Sequence, residues 1–74
     1  MKEKIIWATA PTWYTIIHRR VGCRRAYRCG LRSLSLDDMR DYAKMEAESG
    51  NYTMVKIVNW STEEVIEVLK GSGR

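Results

Sequence analysis

Residues 19–32 read RRVGCRRAYRCGLR, and their reading decides the fold. They hold six arginines, both cysteines of the chain and no acid. Val21-Gly22 fits a two-residue hairpin loop. A turn there sets Arg20 opposite Cys23, Arg19 opposite Arg24, His18 opposite Arg25 and Ile17 opposite Ala26. Further out it sets Ile16 opposite Tyr27, Thr15 opposite Arg28, Tyr14 opposite Cys29 and Trp13 opposite Gly30. Side chains alternate between the two faces of a strand. One face then carries Tyr14, Ile16, Tyr27, Cys29 and Leu31 and suits a core. The other carries Trp13, Thr15, Arg19, Arg24, Arg28 and Arg32, with Ile17, Ala26 and Gly30 between them. Arg20 and Arg25 point to the core side, near its edge by the turn. Like charges directly opposite, as at Arg19 and Arg24, repel. A surface that concentrates such repulsion is suited to an anion or an acidic partner.

Outward from this stretch, residues 13–20 carry Trp, Tyr, Thr and two isoleucines, which favour a strand. Trp13, Ile16, Ile17 and Arg20 also fall at helical spacing, with Pro11 near a helix start and Gly22 at its end. The strand is the preferred reading. Residues 24–34 form the next strand. Upstream, residues 4–8 (KIIWA) read as a first strand, interrupted by Pro11.

Downstream, Ser35 with Asp38 matches a capping box, and Leu34 with Met39 a hydrophobic staple. Leu36, Met39, Ala43 and Ala47 share one helical face, so a helix is expected over 36–48. Asp37 and Asp38 sit in its first turn, where the helix dipole favours them, and Gly50-Asn51 ends it. Residues 53–60 (TMVKIVNW) alternate Val55 and Ile57 with Lys56 and read as a strand. The capping pattern then recurs: Ser61 with Glu64, and Trp60 stapled to Val65. Val65, Ile66 and Leu69 supply an apolar stripe, so a second helix is expected over 62–70, closed by Gly71. The expected fold is a single small α+β domain over 1–70 with a mobile tail over 71–74. Its antiparallel-rich sheet has three or four strands, with both helices on one face, in the order βββαβα.

Seventy-four residues make one domain with a thin core and little room for a deep active site. No apolar run reaches membrane-spanning length and no signal peptide is visible, which points to a cytoplasm. Cys23 and Cys29 on one extended strand would lie roughly 20 Å apart, too far for a disulfide. A zinc site needs more ligands than His18 supplies, and no cofactor motif is present. His18 and Cys23 fall diagonally on one hairpin face, but a packed imidazole beside a thiol is the plainer reading than a nucleophile and its base. Asp37, Asp38 and Asp41 face solvent and read as cap and solubility residues. Most of Trp60, Tyr27 and Tyr52 is expected to serve the core, whereas Trp13 covers Gly30 on the basic face.

Charge divides unevenly. Residues 1–32 hold eight basic and one acidic side chain, and residues 33–74 hold five basic and eight acidic, for a net +4. Such asymmetry steers partners. No catalytic set is visible, so the expectation is a non-enzymatic binding protein. Its binding residues are Arg19, Arg24, Arg28, Arg32 and Trp13, and its partner presents an acidic surface. RNA or single-stranded DNA on the same face is the alternative. In length and architecture the chain resembles the small inhibitor proteins of phages and other mobile elements, such as anti-CRISPR proteins. That resemblance implies an inhibitor that occludes a host protein or nucleoprotein machine. Many members are acidic nucleic-acid mimics, and this chain is basic, so docking on an acidic surface is the mode implied.

Overall fold

The computed structural model describes residues 11–73. Four strands and one helix follow in the order ββαββ: β1 (Tyr14–Arg20), β2 (Tyr27–Ser33), α1 (Leu36–Glu48), β3 (Tyr52–Asn59) and β4 (Val65–Lys70). The strands form one antiparallel sheet in the order β2-β1-β3-β4. The strand expected over residues 4–8 lies outside the described residues.

The turn at Val21-Gly22 forms, with the Cys23 amide donating to the Arg20 carbonyl at 3.0 Å. Gly22 has φ +85°, the value a type II turn needs at its second central residue. Type II turns splay the strands they join. The ladder therefore does not run from the turn. It starts at His18 opposite Tyr27 and Ile17 opposite Arg28, two residues out of the expected register, and Arg24 and Arg25 fall in the loop. A slip of two preserves which face each side chain takes. A bulge follows, so that Thr15 meets Arg32 and Tyr14 meets Ser33, with Cys29, Gly30 and Leu31 set against Ile16. Gly30 absorbs it at φ +86°, a conformation that suits glycine. The insertion also turns Leu31 out to solvent instead of into the core.

Helix α1 starts where its cap predicts. Ser35 accepts a hydrogen bond from the Asp38 amide, and such caps are worth about 1 kcal/mol. Its stripe of Met39, Ala43 and Ala47 packs on Ile16, Val55 and Ile57, with Tyr14, Cys29, Leu36, Tyr42, Tyr52 and Leu69 around them. This is the core, and it lies on one face of the sheet.

The second expected helix is a strand. Asn59 Oδ1 accepts from the amides of Ser61 and Thr62, the Thr62 hydroxyl accepts from Glu64, and Glu63 takes φ +63°. The Asn59 amide donates to Glu64 at 2.9 Å and the Glu63 amide to Asn59 at 2.8 Å, closing a hairpin where a helix cap was expected. Val65, Ile66 and Val68 are β-branched and suit a strand as well as a helix. β4 pairs with β3 from Met54–Lys70 to Val58–Val65, with a bulge at Ile66. After β4 the Gly71, Ser72 and Gly73 amides donate to Thr53, Ala47 and Tyr52.

Candidate binding face

Among the described residues the one helix covers one side of the sheet and leaves the other face open. Alternation places Thr15, Ile17 and Arg19 of β1 on it, together with Arg28 and Arg32 of β2, their neighbours across the ladder. It also places there Met54, Lys56 and Val58 of β3, and Val68 and Lys70 of β4. Every charged strand residue on this face is basic. Most acids of the described residues lie elsewhere: Asp37, Asp38, Asp41, Glu46 and Glu48 on the helix, and Glu67 facing it, while Glu63 in the turn before β4 reaches Arg28. The charge asymmetry of the sequence becomes an asymmetry between the two sides of the sheet.

One end of the face is structured by aromatics. The Trp60 amide donates to the Trp13 carbonyl at 2.9 Å and extends the β1–β3 ladder by one pair. The Arg32 guanidinium carbon lies 4.5 Å from the Trp13 ring centroid and 5.1 Å from that of Trp60. The Arg28 guanidinium carbon lies 4.6 Å from Trp60. Each contact of this kind contributes roughly 0.5–2 kcal/mol. The pair Thr15–Val58 between these groups is fully buried, although no helix of the described residues covers it. Arg28 also donates to the Trp60 carbonyl and pairs with Glu63, whose left-handed backbone brings its carboxylate there. Arg28 is thus partly neutralised. Among the described residues, Arg32 has no carboxylate partner.

The residues expected to bind therefore divide. Trp13, Arg28 and Arg32 come together. Arg19 shares the face at its other end, held by a 3.0 Å bond from Nε to Thr53 Oγ1. Arg24 is exposed in the loop after β1, off the sheet. Trp13 meets Arg32 and not Gly30. Trp60, Lys56 and Lys70 join the face without having been expected there. Lys56 and Trp60 were legible, since alternation in 53–60 puts both opposite the Val55 and Ile57 side. Lys70 was hidden by the helical reading of 62–70.

His18 is not beside Cys23, which is exposed in the loop. It is buried under α1, where Nδ1 donates to Glu46 Oε1 at 2.8 Å. Its ring stacks on Tyr52, centroids 4.4 Å apart, and meets Tyr27 edge-on at 5.1 Å. Burial raises the pKa of Tyr42, as do the charge of Glu46 and a side-chain hydrogen bond to it. Tyr52 is raised by burial and by Glu46, with Arg20 opposing. Both cysteines are free thiols. Among the described residues no cluster of His, Cys, Asp and Glu is arranged to hold a metal ion, and no helix is long and apolar enough to cross a membrane.

Comparison with protein families, with curated proteins and with solved structures finds no match to this chain.

Proposed function

We propose that this is a non-enzymatic binding protein that docks its open sheet face on an acidic surface of a larger protein or nucleoprotein. The observation that carries the reading is Arg32, held over two indoles at the end of a face whose charged strand residues are all basic. Arginine and tryptophan dominate interface hot spots. A guanidinium already packed in place loses less entropy on binding than a free one. Its planar fork matches a carboxylate. Covering such a surface would inhibit whatever the partner does there, in the manner of the small phage inhibitors the chain resembles, and a cytoplasmic partner is the one intended. The test is affinity capture from nuclease-treated host lysate, with salt elution. The reading expects a defined protein retained in stoichiometric amount by wild type and lost with Arg32→Glu. Retention of no protein ends it.

The open, basic character of the sheet favours one second reading, single-stranded nucleic acid on the same face. Phosphate binding would weaken steeply with salt, with a log–log slope of roughly −0.7 per phosphate neutralised. Removing Arg32 and Lys56 would flatten that slope by about one unit or slightly more. Fluorescence anisotropy with labelled oligonucleotides at ~50 mM salt decides it, because electrostatic contacts are strongest there. No binding under that condition excludes nucleic acid.

A further inference from the structure

We propose that the loop joining β1 to β2 is a second binding site, which grips the phosphate backbone of duplex nucleic acid and is separate from the open sheet face. The chain from Arg20 to Ala26 reads RVGCRRA, and no acid occurs between Trp13 and Leu36. Arg20, Arg24 and Arg25 are all exposed. Among the described residues none of the three makes an ion pair, whereas Arg28 and Arg40 each do.

The turn gathers these charges and holds them at one tip. Gly22 at φ +85° lets the chain reverse, and the Cys23 amide donates to the Arg20 carbonyl at 3.0 Å. A turn of this kind brings its first and fourth Cα atoms within about 7 Å. Arg20 is thereby folded back toward Arg24 and Arg25. The Val21 amide donates to the Asn51 carbonyl at 2.9 Å, which ties the base of the loop to the chain before β3. Three guanidinium groups on a pinned turn repel one another, and a dense anion relieves that repulsion. The site stands apart from the indoles: β1 spans seven residues, so about 20 Å separate the loop from the Trp13 end of the open face.

The chemistry of the loop selects its partner. All three cations are arginines, whose planar fork bonds two phosphate oxygens at once. A duplex carries phosphate more densely than a single strand, and each phosphate neutralised releases more counterion there. The loop has no aromatic on which an unstacked base could sit, since the nearest, Tyr27, meets His18 edge-on. The contact is therefore with backbone and not with bases. Protein hot spots are packed side chains such as Arg32, and the loop arginines stand exposed instead. Val21, the loop's one large apolar side chain, rests against Gly73 and leaves little apolar area for a lipid surface.

Anisotropy of a labelled DNA duplex of about 20 base pairs, titrated with the protein from ~50 to ~200 mM salt, tests this. At about −0.9 per phosphate, three arginines give wild type a log–log slope of roughly −2.7, an affinity loss of about 40-fold over that range. Arg24→Ala/Arg25→Ala, at exposed loop sites, should keep the wild-type circular dichroism, flatten the slope to roughly −1 and weaken binding at ~50 mM by about tenfold or more. Arg32→Ala/Lys56→Ala removes the same charge from the open face and should leave the slope within about half a unit of wild type. Wild type that fails to bind the duplex at ~50 mM overturns the proposal. The protein-docking reading of the open face would still stand, because capture from nuclease-treated lysate reads it separately. A loss as large in Arg32→Ala/Lys56→Ala as in the loop variant overturns the proposal too, since the contact then lies on the open face or follows net charge alone. Tighter binding of the matching single strand, or binding to phosphatidylserine–phosphatidylcholine vesicles in place of the duplex, reassigns the loop and overturns it as well.

Discussion

Glu46→Ala should be among the most damaging single substitutions in this domain. Glu46 and its partner His18 are 7% and 5% exposed, and their hydrogen bond spans 2.8 Å between helix and sheet. Truncating the acid strands the imidazole under α1 and removes a partner of Tyr42. A buried polar group left unpaired costs about 2–5 kcal/mol. At about 0.05–0.15 kcal/mol per residue, a chain of this length has roughly 4–11 kcal/mol in all. The loss is therefore a large fraction of the total, and Tm should fall by at least about 8 °C. His18→Leu alone should cost a comparable amount. The double variant His18→Leu/Glu46→Leu should be much less damaged than the two effects summed, because two apolar groups replace the pair and nothing is stranded. Urea denaturation followed by circular dichroism measures the cycle, with a coupling of at least ~1.5 kcal/mol expected. Additive effects, or a cost under ~1 kcal/mol for Glu46→Ala, would refute the buried pair.

The chain's end offers a second test. A Cβ on Gly71 would run into the Tyr52 carbonyl, so Gly71→Ala should cost about 1–3 kcal/mol in thermal or chemical denaturation, where a free tail would cost nothing. Alkaline stability provides a third. Tyr42 and Tyr52 have raised pKa values when folded, so the native state holds protons that the unfolded chain releases above pH of about 10. Their contribution is complete below that pH and is lost as pH rises through the folded values. Denaturation curves across pH 9 to 11.5 should show stability falling with pH, less steeply in Tyr52→Phe; an unchanged slope in that variant would contradict the assignment.

Much of this was readable from local rules. The Ser35 cap and the Leu36, Met39, Ala43 stripe located α1, and alternation located β3. The open face was legible even with the hairpin register off, because the slip and the bulge each displaced the ladder by an even count. β4 was not legible, since Val65, Ile66 and Leu69 satisfy both a helical stripe and a strand. What chose between them was the Asn59 side chain capping the turn, an interaction that composition does not announce. The His18–Glu46 pair joins residues 28 apart in sequence. One signal for it was present: Glu46 falls on the buried stripe between Ala43 and Ala47, where an acid needs a partner. Arg24 left the sheet because the turn at Gly22 splays the strands.

The central claim, that the open sheet face and not the helix side engages the partner, is tested most directly by a charge-matched pair of variants. Arg32→Glu and Lys44→Glu each lower net charge by the same amount, the first on the open face and the second on the exposed side of α1. Both sites are exposed, so neither change should shift stability by more than about 0.5 kcal/mol beyond the lost indole contacts of Arg32. Capture of the partner from nuclease-treated lysate at physiological salt is the readout. Arg32→Glu should abolish capture and Lys44→Glu should leave it at the wild-type level. Equal loss in both would reduce the effect to net charge, and loss in Lys44→Glu alone would move the binding surface to the helix.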